Sequence, residues 1–256
     1  MLRPFQAGIG GFGDGVYTGL AAPSGGPRGA GHRDVSLLID LHTHSYPASD
    51  DSFMTVDELI ATAKERGLDG VCLTEHDAFW EPEQVAALSR KHAFLVLPGC
   101  EVNTDGGHIL VFGLHRYTFG LHKPAFARQL VGREAGVMVA AHPYRRRFLA
   151  DQPQDREGML ERACRDQFFR GCHAIEGVNG RGTLLENRFA QDLGSRLDIP
   201  ATGGSDAHRR EQLGTAATRF QRTITNLSDL IGELRAGRFQ AVDLRTNPDG
   251  RPARDG

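Results

Sequence analysis

The stretch Leu37-Leu-Ile-Asp-Leu-His-Thr-His44 decides the fold. An apolar run that ends in polar residues reads as a buried strand leaving the core, and side chains two residues apart in a strand project from one face. His42 and His44 therefore emerge together at a C-terminal strand end, where they can share one ion. A pair of hydrogen-bonded core histidines is the alternative; their place just after Leu37-Leu-Ile favours ligation.

The same pattern recurs outward along the chain. Gly70-Val-Cys-Leu-Thr74 runs into Glu75-His-Asp77, and Phe94-Leu-Val-Leu97 runs into Pro98-Gly-Cys-Glu101. His108-Ile-Leu-Val-Phe112 follows a turn at Thr104-Asp-Gly-Gly107, Val137-Met-Val-Ala-Ala141 ends in His142-Pro143, and Pro200-Ala-Thr-Gly-Gly204 ends in Ser205-Asp-Ala-His208. Ala174-Ile-Glu-Gly-Val178, Ala216-Ala-Thr-Arg-Phe220 and Phe239–Leu244 complete the strands. Between them, 3.6-residue periodicity predicts helices over Thr55–Arg66, Pro82–His92, Pro124–Ala135, Arg156–Phe169, Leu184–Leu197 and near Leu227–Arg235. Short, mostly parallel strands with helical crossovers predict one α/β domain, a distorted barrel whose chemistry sits at the C-terminal strand ends.

Length and composition agree. The 256 residues are 39% hydrophobic, enough for one full barrel, and a formal charge of −2 gives no global field to recruit nucleic acid or an anionic membrane. Any anionic substrate must be held locally. The four cysteines form no CxxC pair, no signal-like N-terminus is present and no stretch approaches the roughly 20 apolar residues of a membrane span, so a soluble, cytoplasmic protein is expected. Residues 1–34 are Gly/Pro-rich and read as a disordered leader, 35–245 as the catalytic domain and 246–256 as a flexible tail. The glycines of Gly8-Ile-Gly-Gly-Phe-Gly-Asp-Gly15 lack both the lysine and the preceding strand of a phosphate loop.

The strand ends carry the candidate ligands. His76 stands where strand two leaves the core, although a solvated turn would look the same in isolation. Glu101 could be a buried ion-pair partner, yet a carboxylate can bridge two cations, which makes it the natural central ligand. His108 and His142 fall where a second cation beside Glu101 would need nitrogen donors, and Asp206-Ala-His208 repeats the spacing of His42 and His44. Imidazole and carboxylate donors without thiolates suit Mn²⁺, Fe²⁺ or Zn²⁺. His32, His92, His115, His122 and His173 receive no role.

Taken together, Asp40-Leu-His-Thr-His-Ser45, Thr74-Glu-His-Asp77, Gly99-Cys-Glu101, Ala141-His-Pro143, Glu176-Gly-Val-Asn-Gly180 and Gly204-Ser-Asp-Ala-His208 resemble the PHP (polymerase and histidinol phosphatase) family, from about Asp34 to Phe220. The resemblance implies a distorted (β/α)₇ barrel, two to three divalent ions and phosphoester hydrolysis. It implies His42, His44, Glu101 and Asp206 for the first ion, Glu101, His108 and His142 for the second, and His76, His208 and an acidic residue of the following loop for the third. Ser49-Asp50-Asp51-Ser52 offers two such acids, and Asp51 is preferred because Ser52 follows it. Glu101, His76 and Asp206 are the residues expected to carry catalysis. The Gly-Gly-Ser-Asp-Ala-His ending and Asn179-Gly-Arg181 are most similar to the stand-alone phosphoesterases acting on nucleotides and short oligoribonucleotides; the histidinol phosphatase branch matches less well.

A divalent ion brings the pKa of bound water to roughly 7, and a second stabilises the transferring phosphoryl oxygens, so no side-chain nucleophile is needed. Arg145-Arg146-Arg147, Arg181 and Arg209 follow motif residues, and arginine's planar fork suits phosphate. A solvated charge run is the competing reading for Arg145–Arg147. Two rivals remain. A barrel hydrolase of C–N bonds usually recruits a lysine that can be carboxylated, or a further histidine pair; lysines are few, and none of Lys64, Lys91 and Lys123 ends a strand. A non-catalytic, metal-stabilised scaffold would be marked by lost ligands.

Overall fold

In a computed structural model, residues 36–146 and 155–245 are described. The expected leader, Arg147 and the expected tail lie outside them. In chain order the elements are β1 (Leu37–Thr43), α1 (Val56–Glu65), β2 (Gly70–Leu73), α2 (Pro82–His92), β3 (Leu95–Pro98), β4 (Cys100–Thr104), β5 (Gly107–Phe112), α3 (Pro124–Arg133), β6 (Val137–Ala140), α4 (Arg156–Arg165), α5 (Gln167–Arg170), β7 (Ala174–Asn179), α6 (Leu184–Leu197), β8 (Ala201–Gly204), β9 (Ala216–Phe220), α7 (Leu227–Arg235) and β10 (Phe239–Asp243).

Local chemistry explains the helix starts. Thr55 and Glu58 form a reciprocal capping box on α1, Thr183 and Glu186 do so on α6, and Pro82 and Pro124 open α2 and α3 where a missing N–H costs nothing. The single helix expected over Arg156–Phe169 is two. Asp166 adopts an extended conformation (ψ 123°) and caps α5 by accepting the Phe168 N–H, so the chain bends although the apolar periodicity continues through it.

The strands pair in two five-stranded sheets, β10-β9-β1-β2-β3 and β4-β5-β6-β7-β8. This is α/β, but not the mostly parallel arrangement expected. The β1–β2, β2–β3, β6–β7 and β7–β8 ladders are parallel, whereas β1–β9, β9–β10, β4–β5 and β5–β6 are antiparallel. In the sequence, the segment of β4 reads only as the polar end of strand three. Gly99 separates the two because a Cβ there would lie 2.8 Å from Phe112 and 2.9 Å from Thr74, so only glycine lets the chain cross at that point.

The sheets meet along two seams. Glu101 N–H donates to Glu75 O (3.0 Å) and Asp77 N–H to Glu101 O (2.9 Å); on the other side Asp206 N–H donates to His42 O (2.7 Å) and His44 N–H to Ala207 O (3.1 Å). Between the sheets, Ile39, Leu41, Leu97, Phe112, Val139 and Phe220 form a buried core packed with Leu230 and Leu234 of α7. Helices α3, α4 and α6 cover the outer face of one sheet, and α1 and α2 cover that of the other. Both seams end in the histidine-bearing segments, which therefore converge.

Candidate metal centre

Strand β1 slips register between Asp40 and Thr43, and the slip is held by Asp40 Oδ1, which accepts the N–H groups of Ser205 (2.8 Å) and His42 (3.2 Å). Past it, His42 and His44 face the fully buried Glu101 at the start of β4. Glu101 Oε1 lies 2.8 Å from His108 Nδ1 and 2.9 Å from His142 Nε2; Oε2 lies 3.0 Å from His76 Nδ1, 3.2 Å from His42 Nε2 and 3.3 Å from His44 Nε2. Five imidazoles surround one carboxylate. Asp206 Oδ1 adds a second carboxylate 3.4 Å from His44 Nε2 and 3.5 Å from His208 Nδ1, and Asp51 Oδ2 lies 2.9 Å from His208 Nε2 and 3.6 Å from His76 Nε2. All nine expected ligand residues are thus brought together, and Asp51 rather than Asp50 faces the histidines.

The donor set fits divalent cations. His42 Nε2, His44 Nε2, His76 Nδ1 and Glu101 Oε2 are buried and take part in no hydrogen bond, although they crowd one another. Each such atom costs about 1–3 kcal/mol when unsatisfied, and a cation shared by His42, His44 and Glu101 would satisfy three of them at once. Donor atoms of His42, His44 and Glu101, of Glu101, His108 and His142, and of His44, His76 and His208 lie close enough in each set to share an ion.

The same crowding sets the electrostatics. Burial alone would raise Glu101, but His42, His108 and His142 hold its carboxyl well below the usual range. Burial would lower His42, yet Glu176, Glu101 and Asp206 hold it well above its usual value. His208 is pushed down to about 4 by burial and by the neighbouring His44, so it stays neutral and free to donate a lone pair.

Residues behind the ligands were not given roles from sequence. Glu176 Oε1 accepts His42 Nδ1–H (2.9 Å), its Oε2 accepts the His142 N–H (2.8 Å), and Asn179 Nδ2 donates to Glu176 (3.0 Å) and to Asp206 (3.3 Å). Such outer partners set the orientation and tautomer of a ligating histidine. A charged residue inside the apolar Ala174-Ile-Glu-Gly-Val178 was the available signal. Gly204 has a related function: a Cβ there would lie 2.5 Å from the Cβ of His42 and 2.8 Å from Glu176 Oε1, so the strand end can approach both only without a side chain.

A cavity of about 920 Å³ opens over the centre. Arg145, Arg146 and Arg181 line it, with Tyr144, Met159, Phe168 and Phe169 forming an apolar wall. Arg145 pairs with Asp206 Oδ2, and Arg181 Nη1 lies 2.9 Å from His208 Nδ1. Arg209, also expected to contact phosphate, is not brought to the cavity wall: its guanidinium stacks 3.7 Å over the exposed Phe53 ring.

Residues 40–162 match the PHP domain family, and residues 185–239 the PHP-associated family. The chain belongs to the PHP family. It is similar to a probable histidinol-phosphatase of Thermotoga maritima, 25% identical over 218 residues that cover 73% of this chain and 91% of that one. Solved structures similar in fold include PsfC from Pseudomonas syringae (TM-score 0.55, 19% identity, 84% of this chain and 94% of that one) and an amidohydrolase from Chromobacterium violaceum with bound sulfate and no metal (TM-score 0.54, 17% identity, 80% and 97%). The PHP-family protein is a metal-dependent phosphoric ester hydrolase.

Proposed function

We propose that the protein hydrolyses phosphate esters of nucleotides or short oligoribonucleotides with about two to three divalent ions, Mn²⁺, Fe²⁺ or Zn²⁺. The observation that carries this reading is the set of five imidazoles around the buried Glu101, with four unsatisfied donor atoms aimed at one another. His42, His44, Glu101 and Asp206 would hold one ion, Glu101, His108 and His142 another, and His76, His208 and Asp51 a third. Bound ions supply Lewis acidity and an activated water. Arg145 and Arg181 orient the phosphate; both line the cavity and stand directly against Asp206 and His208, beside where the ions would lie. The Met159 and Phe168 wall takes the leaving group and excludes water from that side; a cavity of about 920 Å³ has room for far more than a phosphate. The two sheets, joined at both seams around one core, are the arcs of a distorted (β/α)₇ barrel in this reading.

A histidinol-phosphatase-like monoesterase is the second reading, favoured by the Thermotoga maritima relative. Amide hydrolysis draws no support from the lysines: Lys64 donates to His92 O, Lys91 pairs with Asp57 and Lys123 with Asp105, and none lines the cavity. We place the protein in the cytoplasm, supported by four free cysteines; among the described residues no helix is long and apolar enough to cross a membrane.

The test is turnover by the metal-reconstituted protein on nucleoside phosphates, nucleoside bisphosphates, short oligonucleotides, histidinol phosphate and amides. Ion-dependent release of phosphate or nucleotide from the nucleic-acid substrates is expected. Preference for histidinol phosphate would select the second reading, and cleavage of amides alone would contradict both.

A further inference from the structure

Glu75 is fully buried just beyond β2, and none of the ligand sets includes it. Its carboxylate accepts four hydrogen bonds: Oε2 from the Ser45 N–H (2.8 Å) and the Ser49 hydroxyl (2.6 Å), and Oε1 from the Ser45 hydroxyl (2.5 Å) and the Trp80 indole N–H (3.1 Å). A carboxylate has no proton to give, so the single hydroxyl proton of Ser49 is committed to Glu75. Toward every other neighbour Ser49 Oγ can only accept. It takes the backbone N–H of His76 at 3.2 Å, and its remaining neighbour is His44 Nδ1, also at 3.2 Å. The proton in that last contact must come from the histidine.

We infer that Glu75 and Ser49 are positioning residues that keep a proton on His44 Nδ1 and thereby leave Nε2 as the ligating atom. Nε2 is the nitrogen that points at Glu101 Oε2 (3.3 Å) and Asp206 Oδ1 (3.4 Å) and has no hydrogen bond of its own. The two histidines at the end of β1, His42 within it and His44 just past it, are thus set by different routes. Glu176 acts on His42 Nδ1 directly, whereas Glu75 acts on His44 through a hydroxyl. Because Ser49 also holds the His76 N–H and lies two residues before Asp51, one hydroxyl ties together donors from β1, the β2 end and the loop between them. The inference rests on the reading of His44 as a ligand, and the experiment separates the two.

The experiment is ¹⁵N NMR of histidine-labelled protein with and without Zn²⁺, alongside zinc affinity by competition with a chromophoric chelator. In the zinc-loaded wild type, His44 is expected to carry hydrogen on Nδ1 and to bind through Nε2. Ser49→Ala should lose the protected Nδ1 proton and weaken zinc binding by about 10- to 100-fold, the usual range for such outer partners. Ser49→Thr, which keeps the hydroxyl, should recover most of that loss, and Glu75→Gln, which keeps Ser49 but frees its proton, should fall between. Trp80 is the sole tryptophan, so its indole N–H signal reports whether the variants keep the fold. Zinc bound through His44 Nδ1, or a folded Ser49→Ala protein that binds zinc as tightly as wild type, would overturn the assignment. A wild type that binds no zinc would instead overturn the metal reading; the relay would then stand or fall on whether the Nδ1 proton is present in the zinc-free sample.

Discussion

At Glu101, a carboxylate removed from water survives only where positive charge or hydrogen bonds offset its desolvation. Its two oxygens divide the histidines, His108 and His142 against Oε1 and His42, His44 and His76 against Oε2, so one side chain serves two donor sets. Asp51 is half-exposed, and among the described residues its carboxylate pairs with His76 and His208. Glu101→Gln is therefore expected to abolish turnover, while Asp51→Asn leaves measurable activity with Asp50 adjacent as a substitute. Equal losses of kcat at matched ion occupancy would show that Glu101 does not bridge. Most candidate ligands were legible because a histidine or acid stands at the end of an apolar run; His108 opens its run instead, and Asp51 came only from the family resemblance. Glu75 was not, because a polar residue at a strand end looks the same whether it binds an ion or holds a residue that does; Ser49 is one of several polar residues in a loop, and Glu176 was signalled only by a charge inside an apolar strand.

Among the elements, β8 approaches β1 closely at Gly204, where a side chain would strike His42 and Glu176. Gly204→Ala should cost about 1–3 kcal/mol by overpacking and also loosen ion binding, measured by urea denaturation and chelator competition on the same sample. Unchanged ion affinity would mean that His42 is not held by this contact. Where β7 begins, His173 exchanges hydrogen bonds with Met138: its N–H donates to Met138 O (2.8 Å) and its Nδ1 accepts the Met138 N–H (3.2 Å). Burial and the nearby Arg235 charge lower its pKa below the usual 6.5. The folded state therefore binds this proton less readily than the unfolded chain, so the contribution is full above about 6.5 and lost as pH falls toward the folded value. The wild type should lose more of its urea midpoint than His173→Gln between about pH 7.5 and about pH 5.5; parallel curves would contradict this. The helix caps at Thr55 and Thr183 show how much local chemistry dictates. The β4–β5 hairpin shows its limit: Asp105-Gly106 read as a turn, yet the strand before it was hidden because Pro98-Gly99 looked like an ending when glycine only permits a crossing.

Across the whole molecule, nearly balanced charge leaves phosphate recognition to local arginines. Neutralising Arg145, Arg146 and Arg147 together to Gln should raise KM for phosphoesters about 10-fold or more with ion content intact, whereas Arg209→Gln, stacked on Phe53 outside the cavity, should change kcat/KM by less than about twofold. Unchanged kcat/KM in the triple variant would return that run to a solvated face and leave Arg181 as the phosphate contact. The convergence of the motifs was legible from their order, because strands that end in ligands and alternate with helices must bring those ends to one side. The division into two sheets with antiparallel members was not, since strand direction depends on how each connection crosses and not on the composition of the run. The central claim, that these nine residues form a multi-ion site, is tested most directly by elemental analysis of protein purified without chelator and reconstituted with Mn²⁺ or Zn²⁺. About two to three ions per chain are expected; one ion or none after reconstitution would contradict it.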